Sequence, residues 1–420
     1  MQKECKVEIN SEIGELESVI LHTPGREVEN MTPENVERAL YSDILNLSVV
    51  SKEYSQMRDV LNKITVTYQI RDLLKDVLLN EKVKETLVEK VCENEDVYDI
   101  RDELLGMNTD RLSEALIEGT EKVSDSLTKF LSREKYSLKP LHNFFYVRDA
   151  SISIGESVLI GRMKNKVRGR ESLIMETIFD FHQMFNTKTM SPLEDLKVSE
   201  NLSIEGGDIL VVRNDILVVG IGARTSTEGV DYIIDKMNER KRKMDIIVQE
   251  LPMSPESFIH LDMIFTMLDK DKCMIYEPAV LSANKYQTVR ISLDNGKVVS
   301  IREEKNILEV LSDLGLDLEP VYCGGRKDSW VQEREQWHSG ANFFALGEGK
   351  VIGYGRNNYT IEEMNQKGFE VIKAADIISG KVDIKDHEKY VITIHGGELS
   401  RGGGGCRCMT MPVSRKSVSW

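Results

Sequence analysis

Positive charge is what this sequence lacks first. Its 420 residues carry 55 Lys and Arg against 70 Asp and Glu, a formal net charge of -15. That balance argues against nucleic-acid or anionic-membrane partners, whose phosphates call for a basic face. It is compatible with a small cationic substrate. Cysteine is also scarce: the six, at positions 5, 92, 273, 323, 406 and 408, are too few and too scattered for a disulfide framework. A reducing, cytoplasmic compartment is therefore expected. No uninterrupted apolar run of about 18 residues exists, so no membrane span is expected. The start, Met1-Gln-Lys-Glu-Cys-Lys-Val-Glu8, has no apolar core and does not read as a signal peptide. What is present, 40% hydrophobic and 30% charged residues, describes an ordinary globular chain, long enough for one large domain and an insertion.

Along the chain, Glu17 to His22 reads as a strand closed by Thr23-Pro24-Gly25. Thr32-Pro33-Glu34 supplies an N-cap followed by proline, predicting a helix through Leu47. A second helix over 51–62 and a β-branched strand from Ile64 to Tyr68 follow. From about Arg71 to Leu131, Leu and Val recur at helical spacing, with no proline and no strand-like alternation. Three to five amphipathic helices are expected there, with breaks near Asn80, Asn94 and Asn108 and no catalytic residue.

From about 140 the chain turns β-rich and weakly repetitive. Ser151–Gly161, Asp208–Gly220, Met263–Tyr276 and Asn342–Gly355 each read as two short strands around a tight turn. Helices are expected between several of these, at about 227–240, 305–314 and 360–367. Repeated modules of this size predict a propeller-like ring. Equivalent points of such a ring converge on its axis, and polar residues precede each hairpin: Arg148-Asp149, Glu205-Gly-Gly-Asp208, His260-Leu-Asp262, and the run from Arg334 to Asn342. Near the end, four glycines, Gly402 to Gly405, precede Cys406-Arg-Cys408. Cys408-Met-Thr-Met reads as a strand stopped by Pro412, with a thiol presented at its start.

Singly, each signal has a bland reading: an edge ion pair at Arg148-Asp149, a capped turn at Glu205–Asp208, a structural histidine at 260, inert thiols in a flexible tail. The spacing His260-Leu-Asp262 puts both side chains on one face if the segment is a strand. Together the residues fit one chemistry. Carboxylates match a guanidinium's fixed fork of donors. A cysteine can then attack its central carbon while a histidine protonates the departing nitrogen and later activates water.

These motifs resemble those of the arginine deiminases, in the guanidino-group-modifying (amidinotransferase) superfamily. The likeness runs from Pro24-Gly-Arg-Glu27 through Asn143-Phe-Phe-Tyr-Val-Arg-Asp149, Glu205–Asp208, Gly222-Ala-Arg-Thr-Ser226, His260–Asp262, Arg334-Glu-Gln-Trp337 and Gly340-Ala-Asn342 to Arg407–Pro412. It implies an α/β fold, a five-bladed ββαβ-type propeller (pentein), over 1–70 and 140–420. Residues 71–139 would form an inserted helical bundle. It implies Cys408 as nucleophile, His260 as general acid and base, and Glu205 as its partner. Asp149 and Asp262 would grip the guanidinium. Arg168 and Arg224 would hold the substrate carboxylate, with Asn143 near the α-amino end and Gly402 also at the substrate. Free L-arginine would yield L-citrulline and ammonia, with no metal or organic cofactor, in a homo-oligomer of two or more copies.

Two positions depart from the family pattern. Gly403 stands where some members carry arginine, and Arg148-Asp149-Ala150 replaces the usual Arg-Asp-Pro. Cys406 is taken as a bystander. Among rivals, a di-manganese ureohydrolase would need an Asp-x-His-x-Asp cluster, which is absent, and Cys406-x-Cys408 lacks a second ligand pair for zinc. An arginine amidinotransferase or a non-catalytic arginine-binding homologue are the alternatives that remain.

Overall fold

The computed structural model describes residues 5–420 except 34, 35, 37–39, 42, 133, 194, 196, 197 and 282–285. Five of its sheets share one plan. In each, two antiparallel strands are joined through a helix to a strand that runs parallel to one of them; Thr288–Asp294 and Lys297–Glu304 extend one of these sheets and Glu370–Lys373 another. Ser151–Ile154, Ser157–Ile160 and Lys188–Met190 form one such sheet, with the helix Gly169–Phe181 in the crossover. Ile209–Arg213, Ile216–Ile221 and Met244–Glu250 form the next, crossed by Thr227–Asn238. Phe265–Met267, Lys272–Ile275 and Glu319–Tyr322 form another, and Phe344–Gly347, Lys350–Tyr354 and Tyr390–Ile394 a fourth. Strands such as Ile-Leu-Val-Val-Arg213 are buried along nearly their whole length, which is why they read as continuous apolar runs rather than alternating ones.

The fifth sheet joins the chain's two ends. Met411–Arg415 pairs antiparallel with Leu16–Leu21, which runs parallel to Val66–Gln69 across the helix Leu47–Ile64. The C-terminal cysteine loop is thereby brought back to the strands that begin the chain.

The helical stretch comprises Ile70–Leu78, Glu81–Glu95, Arg101–Gly106, Thr109–Glu118 and the short Leu127–Leu131. Breaks fall at Asn80 and Asn108 as expected, and each residue caps the following helix by accepting a backbone N–H with its side chain. The break expected near Asn94 comes two residues later, at Asp96, which takes a left-handed conformation (φ 58°). Leu74, Leu87, Val91 and Leu116 share one core with Phe144, Val147, Ile174 and Ile178, so these helices pack directly on the neighbouring strand-and-helix unit. Among the described residues no helix is long and apolar enough to cross a membrane.

The helix expected from Thr32 to Leu47 lies in part (34, 35, 37–39 and 42) outside the described residues, and the described helix starts at Leu47, capped by Asn46. Two local expectations need correction. Cys408-Met-Thr-Met is not a strand. Cys408 and Met409 turn, and the strand begins at Met411 and runs to Arg415, with Pro412 inside it at the sheet edge where a missing N–H costs no ladder bond. His260-Leu-Asp262 is not a strand either: His260 is extended and leads into a 3-10 turn, Leu261–Met263.

Candidate active site

Close backbone approach builds this site. A Cβ on Gly207 would stand 2.6 Å from His260 Nδ1, and one on Gly206 would strike the Arg148 carbonyl at 2.1 Å. Glycine is the residue that lets the Glu205–Asp208 turn lie against the histidine. Asp208 Oδ1 accepts the Leu261 N–H at 2.9 Å, which pulls the chain after His260 into its tight turn. The four-glycine run has the same logic. A Cβ on Gly402 or Gly404 would collide with the Tyr146 ring or hydroxyl, and one on Gly405 with Asn342 Oδ1 at 2.6 Å. Gly403 alone has open space around it, and it takes φ +84°. Asn342 ties the loops together: its Oδ1 accepts the Arg407 and Cys408 N–H groups at 2.9 and 3.3 Å, and its Nδ2 donates to the Asp262 carbonyl at 3.1 Å.

A cavity of about 560 Å³ is lined by Asn143, Asp149, Arg168, Arg224, His260, Gly402 and Cys408, with Tyr146 and Trp337 among its other walls. Glu205 and Asp262 stand behind this lining, fully buried. His260 Nε2 donates to Glu205 Oε2 at 2.9 Å, and its Nδ1 lies 3.6 Å from Asp149 Oδ1, too far for a hydrogen bond. Burial opposes a charge on His260, but Asp149, Asp208 and Glu205 outweigh it and push the imidazole up to about 9. The histidine is thus a proton donor at neutral pH. Cys408 Sγ lies 3.8 and 4.0 Å from the Asp262 oxygens. Burial, then Asp262 and Asp149, hold its thiol well above the ordinary range, with Arg407 opposing.

A prediction arises here. In the free protein Cys408 is a thiol, not a thiolate, at pH 7. Iodoacetamide should therefore alkylate it more slowly than it does an unperturbed cysteine, and faster as the pH is raised. Peptide mass mapping over time reads the rate; alkylation at the pace of a low-pKa thiolate would contradict this.

All nine expected residues come to this one region, but the two arginines differ. Arg168 is already engaged. Its Nη1 donates to Asp149 Oδ2 at 2.6 Å, while Nε and Nη2 fork onto Glu171 at 2.7 to 3.1 Å. Arg224 is loosely held, with Nη1 3.7 Å from Glu205 Oε1 and no hydrogen-bond partner for that nitrogen.

Two partners here, Glu12 and Glu171, are given no role by sequence reasoning. Arg407, fully buried, forks onto Glu12 through two 3.0 Å bonds and reaches Asp262 at 2.9 Å. Glu12 lies in the irregular lead of the chain and matches no motif. Glu171 sits three residues after Arg168, a helical spacing that could have revealed the clamp. Asp149, Glu205 and His260 also lie close enough for one oxygen or nitrogen of each to meet a metal ion.

Solved structures with this architecture define the class of fold as pentein. One is the N-terminal domain of ArgZ, an arginine dihydrolase from the ornithine-ammonia cycle in cyanobacteria. It is 12% identical, with 95% of this chain and 97% of that one covered and a TM-score of 0.53. Another is SxtG, an amidinotransferase from Microseira wollei, also 12% identical, with 98% of both chains covered and a TM-score of 0.53. Within that class the assignment is narrower: the chain belongs to the arginine deiminase family, whose profile matches residues 37–415. An arginine deiminase of Bacillus cereus (strain B4264) is 31% identical over 432 residues, covering 98% of this chain and 99% of its own. One from Mycoplasma capricolum subsp. capricolum is 30% identical over 426 residues, covering 99% and 98%.

Proposed function

We propose that the protein hydrolyses the guanidinium of free L-arginine to L-citrulline and ammonia through a covalent intermediate on Cys408. One observation carries the reading beyond family membership. Asp149 Oδ1, His260 Nδ1 and Arg224 Nη1 are buried without hydrogen-bond partners, and their residues line the same cavity as Cys408. Buried polar atoms are rarely left unpaired, so the arrangement calls for a polar ligand.

In this reading the substrate guanidinium lies between Asp149 and Asp262. Its positive charge offsets the carboxylates that hold the thiol protonated, so substrate binding itself favours the thiolate. Sγ bonds to the central carbon, the bond to a terminal nitrogen breaks, and His260 supplies the proton that lets ammonia leave. The neutral imidazole then takes a proton from water, which attacks the same carbon; the C–S bond breaks and citrulline departs. Glu205 orients the histidine and stabilises its charge. Arg224 takes the substrate carboxylate, and Asn143 and the Gly402 backbone take the α-amino end. Arg168 joins Arg224 only by loosening its hold on Asp149 or Glu171. No metal or organic cofactor is required by these steps. We read the five sheets as the blades of a propeller over 1–70 and 140–420, with 71–139 as a helical insertion, in a cytoplasmic homo-oligomer. The repeated strand plan and the closure of the two termini in one sheet support it.

The test is a reaction of L-arginine with no amine acceptor present. Citrulline and ammonia should form in equal amounts. Agmatine, which lacks the carboxylate, should fall about ten- to a hundredfold in kcat/KM for loss of a charge-assisted contact. At most one equivalent of ornithine per chain without ammonia, with turnover only once an amine is added, would instead mean amidino transfer.

A further inference from the structure

A second cavity, about 650 Å³, shares the Lys166–Arg168 turn with the first. The end of the helix Glu81–Glu95, the loop 162–166 and the first turns of the helix Gly169–Phe181 enclose it. Its charge runs against that of the molecule. Arg162, Lys164 and Lys166 line it and hold no ion pair among the described residues, in a chain of net charge -15. Lys90 is paired with Glu176 at 3.1 Å, and Glu93 and Glu200 lie exposed at its rim. Three cations without an ion pair thus face two carboxylates, Arg162 donating to the Ser199 carbonyl at 3.2 Å.

The floor of the cavity is the N-terminus of a 13-residue helix that no side chain caps. The Lys166–Arg168 turn leads into it and takes the Gly169 N–H onto the Lys166 carbonyl, and Glu171 in the first turn is held by Arg168; the partial positive charge of the end still favours an anion. Two polar side chains there lack partners. Ser172 is fully buried and its hydroxyl has no hydrogen bond; Asn94 Nδ2 has none either. Asn94 lies directly over the helix start, where a Cβ on Gly169 would meet its Oδ1 at 2.8 Å. Neither side chain serves the chemistry at Cys408.

We propose that this cavity binds a phosphate-bearing metabolite, with a phosphoryl group seated at the helix N-terminus. Ser172 Oγ and Asn94 Nδ2 donate to it, and Arg162, Lys164 and Lys166 balance its charge. The volume is that of a small-molecule site. The inference is independent of the reaction proposed above.

Calorimetric titration of the whole protein at fixed ionic strength tests it, and the variants below separate this cavity from the first. Inorganic phosphate, pyrophosphate and ATP are the probes, and they separate a free-phosphate site from a nucleotide site. At least one should bind saturably, one per chain. Lys164→Glu/Lys166→Glu should weaken binding about tenfold or more, and Ser172→Ala about fivefold, as expected for losing charge-assisted hydrogen bonds. Removing an unpaired buried hydroxyl should not lower the melting temperature, so a loss of affinity in Ser172→Ala reports binding and not folding. No saturable binding of any probe, or binding that either variant leaves unchanged, overturns the proposal; loss in the lysine variant alone would mean diffuse attraction.

Discussion

Replacing Cys408 with alanine should reduce citrulline formation by at least about 10⁴-fold, the scale on which loss of a covalent nucleophile is felt. Folding should barely change. The thiol makes only long contacts, 3.8 and 4.0 Å, to Asp262, so its removal leaves no strong hydrogen bond broken. The small void left behind should cost about 1 kcal/mol. Cys406 is the internal control. It is fully buried, burial pushes its thiol far above the ordinary range, and it does not line the cavity. Cys406→Ala should therefore keep its activity, so the pair of variants separates chemistry from mere proximity. A colour assay for citrulline beside a thermal melt reads both effects. A Cys408→Ala protein within about tenfold of the parent would refute the assignment, because tenfold is only about 1.4 kcal/mol of barrier.

The second large effect is on stability. Arg407→Leu leaves Glu12 and Asp262 buried without the cation that bridges them. Breaking a buried ion pair by removing one partner costs about 3–5 kcal/mol. Activity should fall as well, since the arginine precedes the nucleophile and pins Asp262 beside it. The pH dependence has a definite sign. Burial works to raise the Glu12 carboxyl, but Arg407, with Arg148 and Arg415, holds it down at about 2 against an ordinary 4.5. A depressed carboxyl contributes stability that is present above pH 4.5 and lost as the pH falls toward 2. Without Arg407 much of that depression goes while burial remains, and protonation then relieves the variant. The gap between parent and variant should be widest near pH 7 and should narrow below about 4.5, the ordinary carboxyl range. Denaturant melts at several pH values measure it; a gap that does not change with pH would contradict the ion-pair account.

How far the sequence foretold this site differs residue by residue, and the reasons are physical. Asp149, Glu205, His260 and Asp262 were legible because each sits just before a hairpin of a repeated module, and the repeat makes such points converge. His260 and Asp262 converge for a different reason than strand alternation: Asp208 captures the Leu261 N–H and turns the chain. Cys408-Met-Thr-Met reads as a strand because a short apolar piece stopped by proline suits one, whereas Asn342 holds the N–H groups of Arg407 and Cys408 at a turn. The neighbours of the glycine run, Tyr146 and Asn342, are contacts at long sequence separation that no local pattern encodes. Glu12 was invisible for the same reason. It lies 395 residues from Arg407, and only the pairing of the terminal strands brings them together. The clamp of Glu171 on Arg168 changes the expected site most, because it leaves Arg224 as the loosely held arginine facing the cavity.

The covalent step offers the most direct test. Acid-quenching the parent protein during turnover of L-arginine and weighing the Cys408 peptide shows what the sulfur carries. The account predicts an adduct with the mass of arginine less ammonia, because the terminal nitrogen leaves first and the ornithine portion stays attached. An amidino group alone on Cys408, or an adduct on any other residue, would contradict it.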